Sequence, residues 1–182
     1  MLQVGKENLM AKSYFVTNGP MPTTASPASV TTGTAIKTLL QLKPAANFPI
    51  SIVEWGISFD STTAATPGNV CLIDTLTVYS TVTAFAVSDI MPFKDPYAPA
   101  NTAGVSGVPL NLGTTASGYT ASTEGTVAGS RLLDCFLISP TGQFFHQFPL
   151  GERPEVIPGN FLRVRATFAA AVNALAYIVF EV

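Results

Sequence analysis

Apolar and polar residues alternate most clearly along the C-terminal segment, residues 161–182. A period of two is typical of a β-strand with one buried face. The segment predicts two strands, residues 161–168 and 174–182, and a five-residue loop suits a β-hairpin between them. In the second strand both faces are mostly apolar. An alanine-rich helix over residues 166–176 is the alternative, which the flanking β-branched and aromatic residues disfavour.

The alternation also predicts the register of this terminal hairpin. Val164 would lie opposite Ile178 in the core, while Arg163 would reach Glu181 diagonally on the other face. A slip of one residue would turn Arg163 and Arg165 into the core, so the pattern specifies one pairing. The two arginines are accordingly expected on a solvated or intersubunit face, and we favour the intersubunit one.

Further strands follow from the same pattern and from the turn residues between them. They are predicted at residues 35–42, 50–60, 69–78, 126–139, 143–150 and 155–157. In the second of these, Val53, Trp55, Ile57 and Phe59 form the predicted core face, and Trp55 is interpreted as a core anchor. About eight strands and no convincing long helix predict an all-β fold, a β-sandwich with the jelly roll as leading version.

Two segments differ from this strand pattern. Residues 1–33 are rich in Pro, Gly, Ser and Thr, and they surround an apolar cluster, Tyr14 to Val16, that has no local core. They are interpreted either as a disordered tail or as an N-terminal arm that docks on a neighbouring subunit, ahead of a sandwich domain at residues 34–182. The Pro- and Gly-rich stretch from Met91 to Pro109 predicts a contact loop or a lid.

Composition bears on the surface of the domain. The chain is 47% hydrophobic and 11% charged, against about 25% charged residues in typical soluble domains. A secreted sandwich rich in Thr and Ser would fit, but a surface covered by other subunits fits better, because obligate interfaces are poor in charge. The scattered basic residues predict no nucleic-acid binding, and no apolar run is long enough to span a membrane.

Cysteine usage depends on the compartment in which the chain folds. The N-terminal residues lack the apolar core of a secretion signal, so folding in a cytoplasm is expected. Cys71 and Cys135 are then interpreted as buried thiols within strands. A disulfide between them remains the alternative.

Candidate chemistry is sparse. His146 is the single histidine and lies in the sequence QFFHQF, where a strand would place Phe144 and Phe148 on its face. Metal centres and Ser-His-Asp sites need more ligands or an oriented base, so His146 is interpreted as a packed or interface residue. The carboxylates are dispersed, and no calcium-loop or nucleotide-binding motif is present. The sequence therefore predicts no enzyme, no cofactor and no metal site.

Four segments resemble small structural proteins encoded in the head-gene region of tailed bacteriophages, particularly phages of actinobacteria. They are KTLLQL, IVEWGISFD, GTVAGSRLLDCFLISPTGQFFHQFPLGERPEV and FLRVRATFAAAVNALAYIVFEV. The resemblance implies a capsid decoration, or cementing, protein. Proteins of that class often have a jelly roll similar to the tumour-necrosis-factor fold and form trimers on the head. The implied partners are further copies of the chain and the major capsid protein, and the implied location is the capsid surface of the virion.

Two alternatives to decoration stay open. One is a tail-associated module that binds surface glycans, for which Tyr97 and Tyr119 would be the exposed aromatics. The other is a minor capsid or connector subunit. For decoration, the expected capsid or intersubunit contacts are aromatic, apolar and basic residues: Tyr14, Phe15, Val16, Phe93, Tyr97, Phe144, His146, Phe148, Arg163 and Arg165.

Overall fold

The computed structural model describes residues 12–60, 66–94 and 108–182, which form two packed antiparallel sheets. The predicted β-sandwich is confirmed. Sheet A contains β1 (Ser13–Thr17), β2 (Val30–Thr31), β4 (Ile50–Phe59), β7 (Met91–Pro92), β10 (Gln143–Gln147), β11 (Glu155–Val156) and β13 (Asn173–Glu181). Sheet B contains β3 (Lys37–Leu42), β5 (Gly68–Asp74), β6 (Thr81–Ala84), β8 (Gly118–Thr123), β9 (Arg131–Ile138) and β12 (Leu162–Thr167). A short 3₁₀ helix, Val87–Asp89, precedes β7.

The strand order makes β9 and β10 edge strands of different sheets. Sheet A runs β10-β4-β13-β1-β7, with β11 also pairing with β4 and β2 with β13. Sheet B runs β6-β8-β3-β12-β5-β9. Since β9 and β10 follow each other in the chain, their short link crosses between the two sheets. These two edge strands lie on the same side of the sandwich, and we call this side the open edge because no backbone hydrogen bonds between described strands join the two sheets there.

The predicted terminal hairpin is wrong, although its two strands are present. β12 pairs with β3 and β5 in sheet B, whereas β13 pairs with β4 and β1 in sheet A. Val164 and Ile178 do share the core, but across the sandwich and not along one sheet. A strand buries one apolar face both in a hairpin within one sheet and in a sandwich where its neighbour lies in the other sheet. The alternation along the sequence therefore fits both arrangements.

The core face of β4 also differs from the prediction. Ile50 and Ile52 are fully buried, and so is Trp55, while Val53 is only half-buried. The pairing register with β13 shifts between Val179 and Phe180, opposite this point. Such a β-bulge adds one residue to β4 and moves the core face from even to odd positions.

The apolar cluster near the N-terminus belongs to the sandwich. β1 pairs with β13 along its whole length and buries Tyr14 and Val16 in the core. This corrects the expectation that the cluster has nothing local to bury it and that an arm extends to residue 33. Residues 22–29, between β1 and β2, are exposed.

The end of β5 has a local cause. The strand was predicted to continue to residue 78 but stops at Asp74. The side chain of Asp74 accepts a hydrogen bond of 2.9 Å from the Leu76 backbone N–H, and Leu76 has a φ of 53°. An Asp side chain that caps its own backbone two residues on is a turn signal, and it ends the strand.

The two cysteines are not buried thiols. Cys71 in β5 lies opposite Cys135 in β9, and the structure joins them in a disulfide with 4.1 Å between their Cα atoms. Both are half-buried and point to the outer face of sheet B, away from the core. In a strand, residues alternate between faces, and the neighbour Leu72 occupies the core side.

Arg163 is buried within the chain, which corrects its assignment to a solvated or intersubunit face. Its side chain is fully enclosed on the outer side of sheet B and donates hydrogen bonds to the backbone carbonyls of Val78 and Glu124. The Glu124 carboxylate lies 3.7 Å from the guanidinium and also accepts hydrogen bonds from Thr38 and Ser80. These hydrogen bonds thus hold the segments around Val78 and Glu124 against the outer side of sheet B.

Candidate functional site

An aromatic strip crosses the outer face of sheet A, on the side away from the core. Phe15 stacks between Phe93 and Tyr177, with ring centroids 6.2 Å and 5.5 Å apart. Phe145 extends the strip onto β10, where it lies opposite Gly56. Phe93 and Phe145 are each 64% exposed, so most of each side chain is in contact with solvent and not with the core. We call this strip the aromatic face.

Tyr177 is held on this face by two residues of β4. It pairs with Gly56, whose missing side chain leaves room for the ring. The hydroxyl then reaches two residue pairs along the sheet, to the next position on the same face, and donates a hydrogen bond of 2.5 Å to Glu54 Oε1. Burial, and secondly the Glu54 carboxylate, raise the pKa of Tyr177. The carboxylate on this part of the face therefore has its hydrogen-bond partner within the chain.

A concavity of about 380 Å³ opens beside the strip. None of its lining residues carries a charge, and the rim contains Pro22 and Pro27 from the segment after β1. That segment is anchored where Asp89 accepts hydrogen bonds of 2.8 Å from the backbone N–H groups of Met21 and Ala86. The full lining is Phe15, Thr17, Pro22, Pro27, Ile57, Ser58, Met91, Gln143, Phe144, Phe145, Leu175 and Tyr177.

A second group of functional interest lies at the open edge. His146 of β10 places Nδ1 2.6 Å from Asp134 Oδ2 of β9. The same oxygen accepts a hydrogen bond of 3.1 Å from the indole N–H of Trp55, which is fully buried. Phe136 packs on Phe144 with a centroid distance of 4.1 Å, next to these groups. The pair connects the edges of the two sheets, and its carboxylate orients the imidazole.

The residues around His146 and Asp134 limit the chemistry that this pair could perform. The part of the chain that the structure describes contains no group of three or more His, Cys, Asp or Glu residues able to hold a metal ion. His146 shares its face with Phe144 and Phe148, as predicted, and its ring lies 4.5 Å from that of Phe148. The arrangement suits a packed, oriented histidine.

The structure separates the predicted contact residues into distinct places. Phe15 and Phe93 lie on the aromatic face, and Phe144 and His146 at the open edge. Arg165 lies on the outer face of sheet B beside Cys71. Tyr97 lies outside the described residues. The remaining four residues are buried inside the chain, so their side chains are not free to contact another subunit: Tyr14, Val16, Phe148 and Arg163.

Sequence reasoning missed the residues that complete both groups. Tyr177 and Phe145 of the aromatic face were not selected, although both faces of β13 are apolar, which is the signal that could have found Tyr177. In the sequence, Asp134 is one of several dispersed carboxylates. Its contact with His146 depends on two edge strands meeting across the sandwich, and no local pattern indicates that.

Tyr119, a candidate for glycan binding, is half-buried in β8. Its ring packs on Phe85 of the core with centroids 5.5 Å apart. Burial, and secondly the charge of Asp89, raise the pKa of Tyr119. A sugar platform needs an open aromatic ring, so this residue does not supply one.

Comparison with protein-family models, with curated protein sequences and with solved structures finds no match for the chain. Over the described residues, no helix is long and apolar enough to cross a membrane.

Proposed function

We propose that the chain is a non-catalytic structural protein that binds further copies of itself through the aromatic face. The observation that carries the proposal is the combination of exposed aromatic rings with an uncharged concavity on one sheet. The cores of protein interfaces are enriched in Phe, Tyr and Met and depleted in charge. Exposed apolar patches of this kind on soluble domains mark interaction surfaces.

The composition supports self-association over binding of an occasional partner. With 11% charged residues the chain has little charge to keep single copies dispersed. A permanent contact between copies would cover the aromatic face from the time of folding. Phe15, Phe93, Phe145 and Tyr177 would form its centre, where aromatic side chains contribute most to binding.

The proposal includes a jelly-roll topology, and the strand order supports it. Four strands of sheet A follow the order β1-β13-β4-β10, and four of sheet B the order β3-β12-β5-β9. Successive strands mostly change sheet, as they do in a double-sheet arrangement of eight strands. The remaining described strands, β2, β6, β7, β8 and β11, are additions to this frame.

The role that unites these features is decoration of a bacteriophage head. The sequence resemblance to head-region structural proteins, the low charge and the all-β fold support it. Trimers would bind the major capsid protein from outside and bridge its neighbouring subunits, and this would strengthen the shell against the pressure of packaged DNA. Many copies would act together, so each single contact need not be strong. The chain would fold in the host cytoplasm and need no cofactor.

Self-association is tested by measuring the mass of the purified protein in solution by light scattering. The wild type is expected to be an oligomer, in the simplest case a trimer. Phe93→Ser with Phe145→Ser removes two exposed rings without opening the core, so it should give folded monomers. Leu150→Ser is the matched control, because Leu150 is 87% exposed but lies away from the aromatic face. A monomeric wild type would overturn the proposal.

The location is tested on purified virions separated into heads and tails. Quantitative mass spectrometry of each fraction is expected to find the chain on heads, in a fixed ratio to the major capsid protein. A few copies in the tail fraction would reject decoration and favour a receptor-binding role.

A further inference from the structure

The cysteine pair lies in an accessible and chemically distinctive place. Cys71 of β5 and Cys135 of β9 are directly opposite each other on the outer face of sheet B, and both are half-buried. β9 is the edge strand, so it is hydrogen-bonded to β5 on one side only among the described strands. The disulfide therefore joins the edge strand β9 covalently to β5. Leu132 and Leu137 of β9 are exposed.

A positive charge stands next to the pair. Arg165 of β12 is opposite Cys71 on the other side of β5, so the three side chains form one row across the sheet. Arg165 and Cys71 both line a shallow cavity of about 250 Å³ on this face. Arg165 Nε has no hydrogen-bond partner among the described residues. A guanidinium beside a sulfur favours the thiolate over the thiol.

Asn69 adds a hydrogen-bond acceptor. Its side-chain oxygen lies 2.6 Å from Cys71 Sγ and 3.1 Å from Cys135 Sγ. A disulfide has no S–H group to donate, but each thiol has one. Asn69 is thus positioned to accept a hydrogen bond from the reduced form of the pair, and Arg165 lies in the same row as Cys71.

We propose that Cys71 and Cys135 form a thiol–disulfide exchange site whose redox state controls the edge strand β9. An external dithiol is the reductant. Its thiolate attacks Cys135 Sγ and forms a mixed disulfide, and the electron pair of the broken bond leaves on Cys71, next to Arg165. The second thiol of the reductant then attacks the mixed disulfide and releases Cys135. The protein gains two electrons and two protons, and the dithiol becomes a disulfide.

Opening the pair has a structural consequence at the open edge. β9 also carries Asp134, which holds both His146 and the indole of Trp55. Once the covalent tie is broken, β9 is held by one row of backbone hydrogen bonds, by its inward side chains and by the ion pair of Arg131 with Asp74. We expect local opening of this strand to become more frequent, without unfolding of the whole sandwich.

Hydrogen exchange of the oxidised and dithiothreitol-reduced wild type tests the inference. Amides of residues 131–138 should exchange about tenfold faster after reduction, while β3 and β4 stay unchanged. The Cys71→Ser, Cys135→Ser double variant is the control and should show the faster exchange with or without dithiothreitol. Free thiols in protein purified under air, or equal exchange in both redox states, would overturn the inference.

The role of Arg165 is tested by the rate of reduction. Arg165→Gln should slow opening by dithiothreitol about threefold or more, because the leaving thiolate loses its neighbouring charge. Arg131→Gln is the matched control, since Arg131 lies at the start of β9 but pairs with Asp74. Equal effects of the two substitutions would remove Arg165 from the site. None of these outcomes depends on whether the aromatic face binds another copy.

Discussion

The ring of Tyr177 lies across the backbone of Gly56, its pairing partner in β4. A Cβ atom at Gly56 would stand 2.4 Å from Tyr177 Cε1, closer than any real contact of that kind. The glycine is thus required by the close approach of an aromatic ring and not by a turn. The hydrogen bond from Tyr177 to Glu54 depends on the absence of a side chain at Gly56. The shape of the aromatic face depends on it as well.

Gly56→Ala should destabilise the domain by about 1–2 kcal/mol, because the ring must move and its hydrogen bond is lost. Chemical denaturation measures the change. Ser58→Ala, two residues along the same face, is the control and should change the free energy of unfolding by less than about 0.5 kcal/mol. Equal losses in the two variants would show that the ring does not need the gap at Gly56.

Alkaline pH should destabilise the protein through Tyr177. Burial, then Glu54, raises its pKa above the ordinary value of 10.0. The stability from the protonated hydroxyl is complete below pH 10, and it is lost as pH rises from 10 towards the folded-state pKa. Denaturation at pH 9 and pH 11 should show a smaller alkaline loss in Tyr177→Phe than in the wild type. Glu54→Gln should lower the pKa of Tyr177 in an ultraviolet titration, and an unchanged pKa would contradict the assigned contact.

Removing the buried Arg163 should be costly. Arg163→Met leaves the carbonyls of Val78 and Glu124 without their donor, and we expect a loss of about 2–3 kcal/mol. Arg165→Met is the control on the same strand and face, where the side chain is only half-buried, and should cost under about 1 kcal/mol. Thermal unfolding in one fixed redox state measures both.

Asp134 should stabilise the fold mainly through its hydrogen bond with the indole of Trp55. Asp134→Ala leaves the buried indole N–H without an acceptor and should cost about 1–3 kcal/mol. Asp134→Asn keeps an acceptor and should cost less. Trp55 is the single tryptophan, so its fluorescence reports the change directly. Equal emission and stability in Asp134→Ala and Asp134→Asn would show that the hydrogen bond from Trp55 to Asp134 does not stabilise the fold.

Neighbouring residues of β1 should separate stability from association. Tyr14 is 1% exposed and stacks on Phe180, so Tyr14→Ala should lose about 3 kcal/mol of stability. Phe15 points to the other face, and Phe15→Ala should cost about 1 kcal/mol but weaken self-association. Denaturation and light scattering on both variants measure the two effects. A large stability loss in Phe15→Ala with normal assembly would contradict the proposed interface.

Local patterns were enough for strands that alternate strongly. The predicted segments 50–60 and 143–150 became β4 and β10 with small changes at their ends. β6 and β8 were missed because TVTA and GYTAST are rich in Thr and Ser and have no continuous apolar face. β1 was missed for a different reason, since the Pro- and Gly-rich residues after it suggested an arm.

Long-range pairing could not be read from the same patterns. The alternation of β12 and β13 specifies which side chains are buried, but not whether the neighbouring strand is in the same sheet. The bulge near Val53 likewise leaves no local mark, because ISIVEW has apolar residues on both faces. The aromatic face and the contact of His146 with Asp134 are products of this pairing, so both emerged only with the strand order.

The pairing of β1 with β13 joins residues that are 168 positions apart, as in the hydrogen bond from Ser13 to Glu181. During synthesis, β1 emerges from the ribosome long before its partner exists. At typical translation rates the wait is about 10–30 s. Until then β4 also lacks its longest neighbour, and Tyr14 and Trp55 have no closed core. Sheet A therefore completes only after translation of β13, and the aromatic residues that pack on that strand stay uncovered until then.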